Sequence, residues 1–290
     1  AWTVLLALMT FSLSLLGTFL VRSGVLSSVH AFAVDPQRGA YILGFMMLVV
    51  GGSLALFAWR APRMVAGGAF TWFSRESMLL ANNVVMVASV AAVLLGTLYP
   101  LFIDALGMGK LSVGPPYFNA VFVPLITPAL FLMGVGPLMR WKGDSVPDVL
   151  IRLKWALGVA MATGLLLPLT LEGYKPWAVL GLGLSSWIAL TVVIAFRERA
   201  KTVGQLSNLP RAFWGMHMAH LGLAIGVAGI TMVSIYQQEV DVRMNVGDQA
   251  QIAGHTLTFM GTESYSGPNY EGTRGTVIVS KDGTEQFRLY

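Results

Sequence analysis

The sequence predicts an all-α polytopic membrane bundle of about seven transmembrane helices with a small C-terminal β-rich domain. Three observations carry that reading. Of the 290 residues, 55% are hydrophobic and only 11% charged, with a mean hydropathy of +0.68, more apolar surface than a soluble chain of this length can hide. Seven apolar stretches each approach the ~20 residues that a bilayer core requires. After Tyr236 the composition turns polar and strand-like.

The stretches run 2–21, 40–59, 77–99, 118–139, 155–171, 177–196 and 212–235. They set a transmembrane domain over 1–235 and a β-rich domain over 236–290. The chain opens at Ala1 inside an apolar run with no basic leader, so that run reads as a helix rather than a signal peptide, and the chain as a piece of a longer protein or one chain of a split one. Ser74 is placed to cap the third helix, and Trp72 and Phe73 suit the membrane interface. Asn82 and Asn83 fall within the membrane, where amides hydrogen-bond neighbouring helices. Gly96 and Pro100 mark the exit of the third helix, and a Gly/Pro-rich loop follows. Pro124, Pro128 and Pro137 predict kinks in the fourth. The fifth and sixth helices read as lipid-facing scaffold. In the tail, VDVRM, HTLTFM, TVIVS and QFRLY read as strands, with Asp282-Gly283 as a hairpin turn. The last of these runs to Tyr290, so the β-rich domain reads as incomplete.

Charge sets the orientation. Three loops, after the second, fourth and sixth stretches, carry eleven bases, from Arg60 to Arg211, against four (Arg22, Arg38, Lys110 and Lys175) in the opposite short loops. The positive-inside rule puts the first set in the cytoplasm. The segment after the first helix and the β-rich tail then face the other side, the periplasm of a Gram-negative bacterium. This distribution also accounts for the net charge of +5 without a nucleic-acid partner. The chain has no cysteine, so its own residues form no disulfide and exchange no thiol.

Two places offer chemistry. The first is TFLVRSGVLSSVHAFA, residues 18–33, where a helix exit is followed by Arg22 and His30 with no acid before Asp35. It reads either as a polar loop with a surface histidine or as the seat of a flat apolar ligand with anionic arms. The second is His220 in the seventh helix, roughly 12 Å in from Ala212 at about 1.5 Å per residue. An ionisable group at that depth is costly and marks a functional site by default. Neutral imidazole is a good axial ligand for haem iron; the alternative is a histidine bonded to another helix. Gly215, Ala219, Gly222 and Ala224 would let a planar ring approach. His217, one turn earlier, reads as an interfacial polar residue, His255 as a surface residue, and Arg75 with Glu76 as an interfacial charge pair. No hydrolase triad, P-loop, paired-carboxylate site or zinc spacing occurs.

The strings TFLVRSGVLSSVHAFA, SRES with the later NN, GTLYP, SVGPPYFN, PRAFWGMHMAHLGLA and DVRM-x-x-GD with the later GPNY occur in an order that closely resembles CcmF-type cytochrome c haem lyase subunits, of the haem-handling WWD family. They span nearly the whole chain. The close paralogue serving nitrite-reductase cytochrome maturation shares the pattern. The family's tryptophan-rich segment and a further outer histidine do not occur in this chain. The resemblance implies the last step of cytochrome c assembly in the bacterial inner membrane. Haem from a periplasmic haem chaperone is joined to the CXXCH thiols of apocytochrome c, with thiol-reducing subunits as partners. It implies that His30 is an axial ligand of the transient substrate haem, and that His220 is an axial ligand of a resident haem b. The second ligand of each would lie upstream of Ala1. Arg22 is assigned to a haem propionate by charge and location. A transporter or flippase would instead line several helices with ionisable groups, whereas here His220 is essentially alone at membrane depth. A scaffold that docks assembly partners would carry no haem.

Overall fold

The computed structural model describes residues 2–24, 36–64, 71–171 and 173–290. Seven helices are long and apolar enough to cross a membrane: α1 (Trp2–Arg22), α2 (Pro36–Arg60), α3 (Arg75–Ala105), α4 (Pro115–Val135), α5 (Val146–Leu166), α6 (Pro176–Val203) and α7 (Arg211–Tyr236). Four strands follow: β1 (Gln249–Ile252), β2 (His255–Ser266), β3 (Glu271–Lys281) and β4 (Thr284–Leu289). By packing, the chain divides into two compact units, 1–157 with 190–213 and 158–189 with 214–290.

In the first unit, α1 stops because Gly24 adopts φ +73°, the left-handed conformation that commonly closes a helix. Gly39 near the start of α2 lies so close to Ser23 that an added Cβ would sit 3.1 Å from the serine Cβ. Helix α3 begins where expected: the Ser74 hydroxyl accepts from the Ser77 amide at 3.2 Å. It does not end at Pro100 but runs through it to Ala105. Gly96 marks a close approach instead, because any Cβ there would strike the Tyr117 ring of α4, whose hydroxyl donates to the Ala92 carbonyl at 3.0 Å. Asn82 and Asn83 are half-buried, and among the described residues neither side chain makes the expected interhelical bond. Pro124 and Pro128 lie inside α4, and Pro137 falls in the 3₁₀ turn that follows it, Gly136–Leu138.

Two loops of this unit clasp one another. The Thr71 amide donates to the Lys142 carbonyl, Asp144 to Phe73 and Arg75 to Arg140, at 2.8–3.0 Å. Glu76 also accepts from the Lys142 amide at 2.8 Å, which ties the start of α3 to the facing loop. Burial raises the affinity of the Asp144 carboxyl for a proton. The amides of Arg140 and Ser145, with the charges of Arg140 and Arg152, outweigh that and hold it below its usual range. Its part in the clasp is therefore present at neutral pH and lost as pH falls through that lowered value. Arg152 and Lys154 belong to α5, which starts earlier than the apolar run. Arg152 donates to the Leu138 carbonyl at 2.5 Å and pairs with Glu198 at 3.5 Å.

Helix α6 is not lipid-facing scaffold. Ala178 and Ile188 have no exposed surface and Trp187 is nearly enclosed, so α6 has the largest buried share of the seven spans. In the second unit its contacts with α7 follow one antiparallel register. Lys175 Nζ donates to the Ile235 carbonyl at 3.0 Å, Gly181 fits against Thr231 so tightly that a Cβ would overlap it, and the Ser185 hydroxyl donates to the Ala224 carbonyl at 2.7 Å.

The strands form one antiparallel sheet in the order β1-β2-β3-β4. VDVRM is not a strand; QAQI takes that place as β1, and Val240 and Val242 are exposed. Asp282 and Gly283, at φ +51° and +78°, form the expected tight turn between Lys281 and Thr284. Among the described residues β1 pairs only as far as Thr258, and β4 only from Val277 onward. Residues 261–266 and 271–276 pair only with each other, a two-stranded arm with both edges bare.

Candidate functional site

His220 sits on α7 with its ring orientation set by its own helix. Its Nδ1 lies 2.6 Å from the Met216 carbonyl oxygen. A carbonyl only accepts, so Nδ1 carries the proton, and in the neutral ring the lone pair is on Nε2. This is the arrangement that ligating histidines adopt, with one nitrogen donating to a carbonyl and the other turned to the metal. The side chain is half-buried, which leaves a way in for a ligand. This residue fits an axial role toward haem on its donor chemistry alone.

Two supporting expectations change. Of the four small residues, only Ala224 shares the His220 face, about 40° round the helix, while Gly222 lies about 160° away. A Cβ added at Gly215 or Gly222 would meet nothing, so those glycines open a different side of α7. His217 is not interfacial in its surroundings. It is 2% exposed, one of the largest fully buried side chains, with Nε2 enclosed. The two rings stand 6.4 Å apart and are tilted by 35°. His217, the more enclosed of the two, has less room for a ligand.

His255 has a local structural part. Its Nδ1 lies 3.0 Å from the Ala253 carbonyl, closing the turn in which Ala253 and Gly254 both have positive φ.

His30 lies outside the described residues, so the structure places only the ends of its segment. Arg22 is the last residue of α1 and is exposed. It belongs to the first unit, and His220 to the second. Just before the exit, α1 lines an apolar cavity of about 400 Å³ with Leu13, Leu16, Gly17 and Leu20, facing Met86 and Val90 of α3. That is within the range of small-ligand sites, about 300–1,000 Å³. The hydroxyls in its wall, Ser89 and Thr97, donate to their own helix at Val85 and Val93, so the lining is effectively apolar. Nothing in the sequence's periodicity singled this cavity out, because it depends on how three helices meet. Arg22 leaves α1 about 200° round from Leu20, so it does not line the cavity. Among the described residues no group of three or more His, Cys, Asp or Glu could hold a metal ion.

The comparisons with known proteins agree along the chain. Residues 235–290 match the family described as CcmF C-terminal beta-sandwich. The cytochrome c-type biogenesis protein CcmF of Pseudomonas aeruginosa is 47% identical over 300 residues, with 100% of this chain and 45% of that protein covered. The CcmF of Escherichia coli K12 is 46% identical over 291 residues, with coverages of 100% and 44%. NrfE of Haemophilus influenzae, also named a cytochrome c-type biogenesis protein, is 32% identical with 97% of this chain and 44% of that protein covered. A solved structure titled Cytochrome c Heme Lyase CcmF superposes with a TM-score of 0.71 at 26% identity, covering 99% of this chain and 43% of its own. The chain thus spans a little under half the length of the relatives it matches. In its C-terminal β-rich residues, in sequence along its full length and in fold, it belongs with the CcmF-type cytochrome c biogenesis proteins.

Proposed function

We propose that this chain is part of a membrane haem-lyase subunit that receives haem from a periplasmic haem chaperone and helps attach it to the CXXCH thiols of apocytochrome c. His220 is an axial ligand of a resident haem b, and His30 is an axial ligand of the transient substrate haem at the outer face. The basic loops lie in the cytoplasm, and the sheet lies in the periplasm of an inner-membrane protein. The whole-length similarity to cytochrome c biogenesis proteins supports the general role. The observation that carries the site is the His220 ring, whose Nδ1 proton is committed to the Met216 carbonyl so that Nε2 is the ligating atom.

The other parts follow in chemical terms. The apolar cavity beside the α1 exit suits a hydrocarbon edge, while Arg22, on another side of α1, suits a propionate by its charge alone. A chain without cysteine takes its thiols from the substrate. A resident haem would supply a redox centre that keeps the incoming iron reduced.

The test is the pyridine haemochrome spectrum of the complete protein purified in detergent. His220→Ala should remove the b-type signal. His217→Ala should retain most of it while lowering the melting temperature, because it empties an enclosed site. A full b-type signal in the His220 variant would overturn the assignment.

A further inference from the structure

We infer that α6 positions the haem-ligating face of α7, with Ser185 as the positioning residue for His220. This rests on the reading of His220 as an axial ligand. The ring is fixed relative to its own helix by the Met216 carbonyl, but that bond cannot fix the helix itself. Rotation of α7 by one residue, about 100°, would carry Nε2 to another side without disturbing the bond.

The seam with α6 supplies the missing constraint. Going up the sequence from Lys175 through Gly181 to Ser185, the partners on α7 step down from Ile235 through Thr231 to Ala224. The three ties differ in kind. Lys175 places a cation on a carbonyl in the last turn of α7, where the helix dipole favours it. Gly181 admits Thr231, whose hydroxyl is committed to Val227 in its own helix at 2.7 Å, so the fit there is steric. Ser185 donates across to the backbone at Ala224, one turn beyond His220 and about 40° from it round the helix. The Ser185 bond therefore lies nearest the ligand in sequence and close to it in direction. It holds backbone rather than a side chain, so it resists both sliding and rotation of α7. Steric fit alone would resist sliding more than rotation. Ala224 and Thr231 are themselves buried, which places the seam on the packed side of α7.

The test uses the complete protein with Ser185→Ala, Ser185→Thr and wild type. Ser185→Ala should keep haem near wild-type occupancy but change the low-spin EPR g-values, which report the orientation of the axial imidazole, and shift the midpoint potential. Ser185→Thr, which keeps the hydroxyl, should restore both. A haem-free readout separates packing from ligation. In a His220→Ala background, Ser185→Ala should speed hydrogen exchange of the amides around Ala224, and Ser185→Thr should not. Unchanged g-values in haem-loaded Ser185→Ala would overturn the inference and leave His220 as the ligand. Absence of b-type haem from the wild-type protein would overturn the underlying reading instead. If Ser185→Thr failed to restore the g-values while matching the hydrogen exchange of wild type, the hydroxyl would not be the positioning group.

Discussion

At the scale of single residues, the proposed chemistry lies in histidines whose surroundings differ more than their sequence positions suggest. His217 and His220 are one helical turn apart, yet one is enclosed and the other half-buried with its ring held by a carbonyl. Depth along an apolar run was legible in the sequence; which side of the helix faced the core was not, because it depends on α6. The small-residue argument failed for the same reason, since Gly215 and Gly222 project from another side of α7 than His220. His30 was legible from its string alone, and its role stands on the resemblance and on the proposed function. On the proposed role, removing His30 takes away one ligand of a transient haem and none of the helix contacts described above. We therefore expect His30→Ala in the complete protein to leave expression and resident haem at wild-type levels and to reduce holocytochrome c at least tenfold. Added imidazole should restore part of the yield. Haem-stained cytochrome c from matched cultures checks this, and normal yield would remove His30 from the mechanism.

At the scale of elements, hydropathy located all seven helices but misjudged what ends them. Pro100 reads as a stop because it removes the donor for the Gly96 carbonyl, yet α3 continues to Ala105. Packing of Tyr117 across Gly96 supports the helix where its own ladder is weakened. The α3–α4 contact is thus a fitted joint, and two substitutions separate its parts. Tyr117→Phe loses one hydrogen bond and should cost about 0.5–1.5 kcal/mol. Gly96→Val forces a side chain into the ring and should cost about 1–3 kcal/mol or more. Unfolding in a denaturing detergent series would rank them, and a Gly96→Val protein as stable as wild type would show that the joint is loose. The α5 start was misread because Arg152 and Lys154 look like loop residues. Arg152 is tolerated on a helix because Leu138 and Glu198 take up its guanidinium. The strand pattern of VDVRM misled because alternation describes a surface with one wet face, and that segment has no partner strand.

At the scale of the whole molecule, the proposed orientation rests on the eleven bases against four and the seven spans. Reporter fusions at Gly67, Gly143 and Gly204 should all read cytoplasmic, and a fusion after Tyr236 should read periplasmic. One clear periplasmic signal among the first three would overturn the number of crossings. The domain plan was legible as a change of composition at Tyr236, whereas the cavity beside the α1 exit was not, since no single helix encodes it. The bare arm of the sheet carries a consequence for handling the protein. Residues 261–266 and 271–276 pair with no third strand among the described residues, and only Glu263, Glu271 and Arg274 place charge along the arm to discourage strand addition. Left uncovered, it is a template on which copies of the chain can join edge to edge.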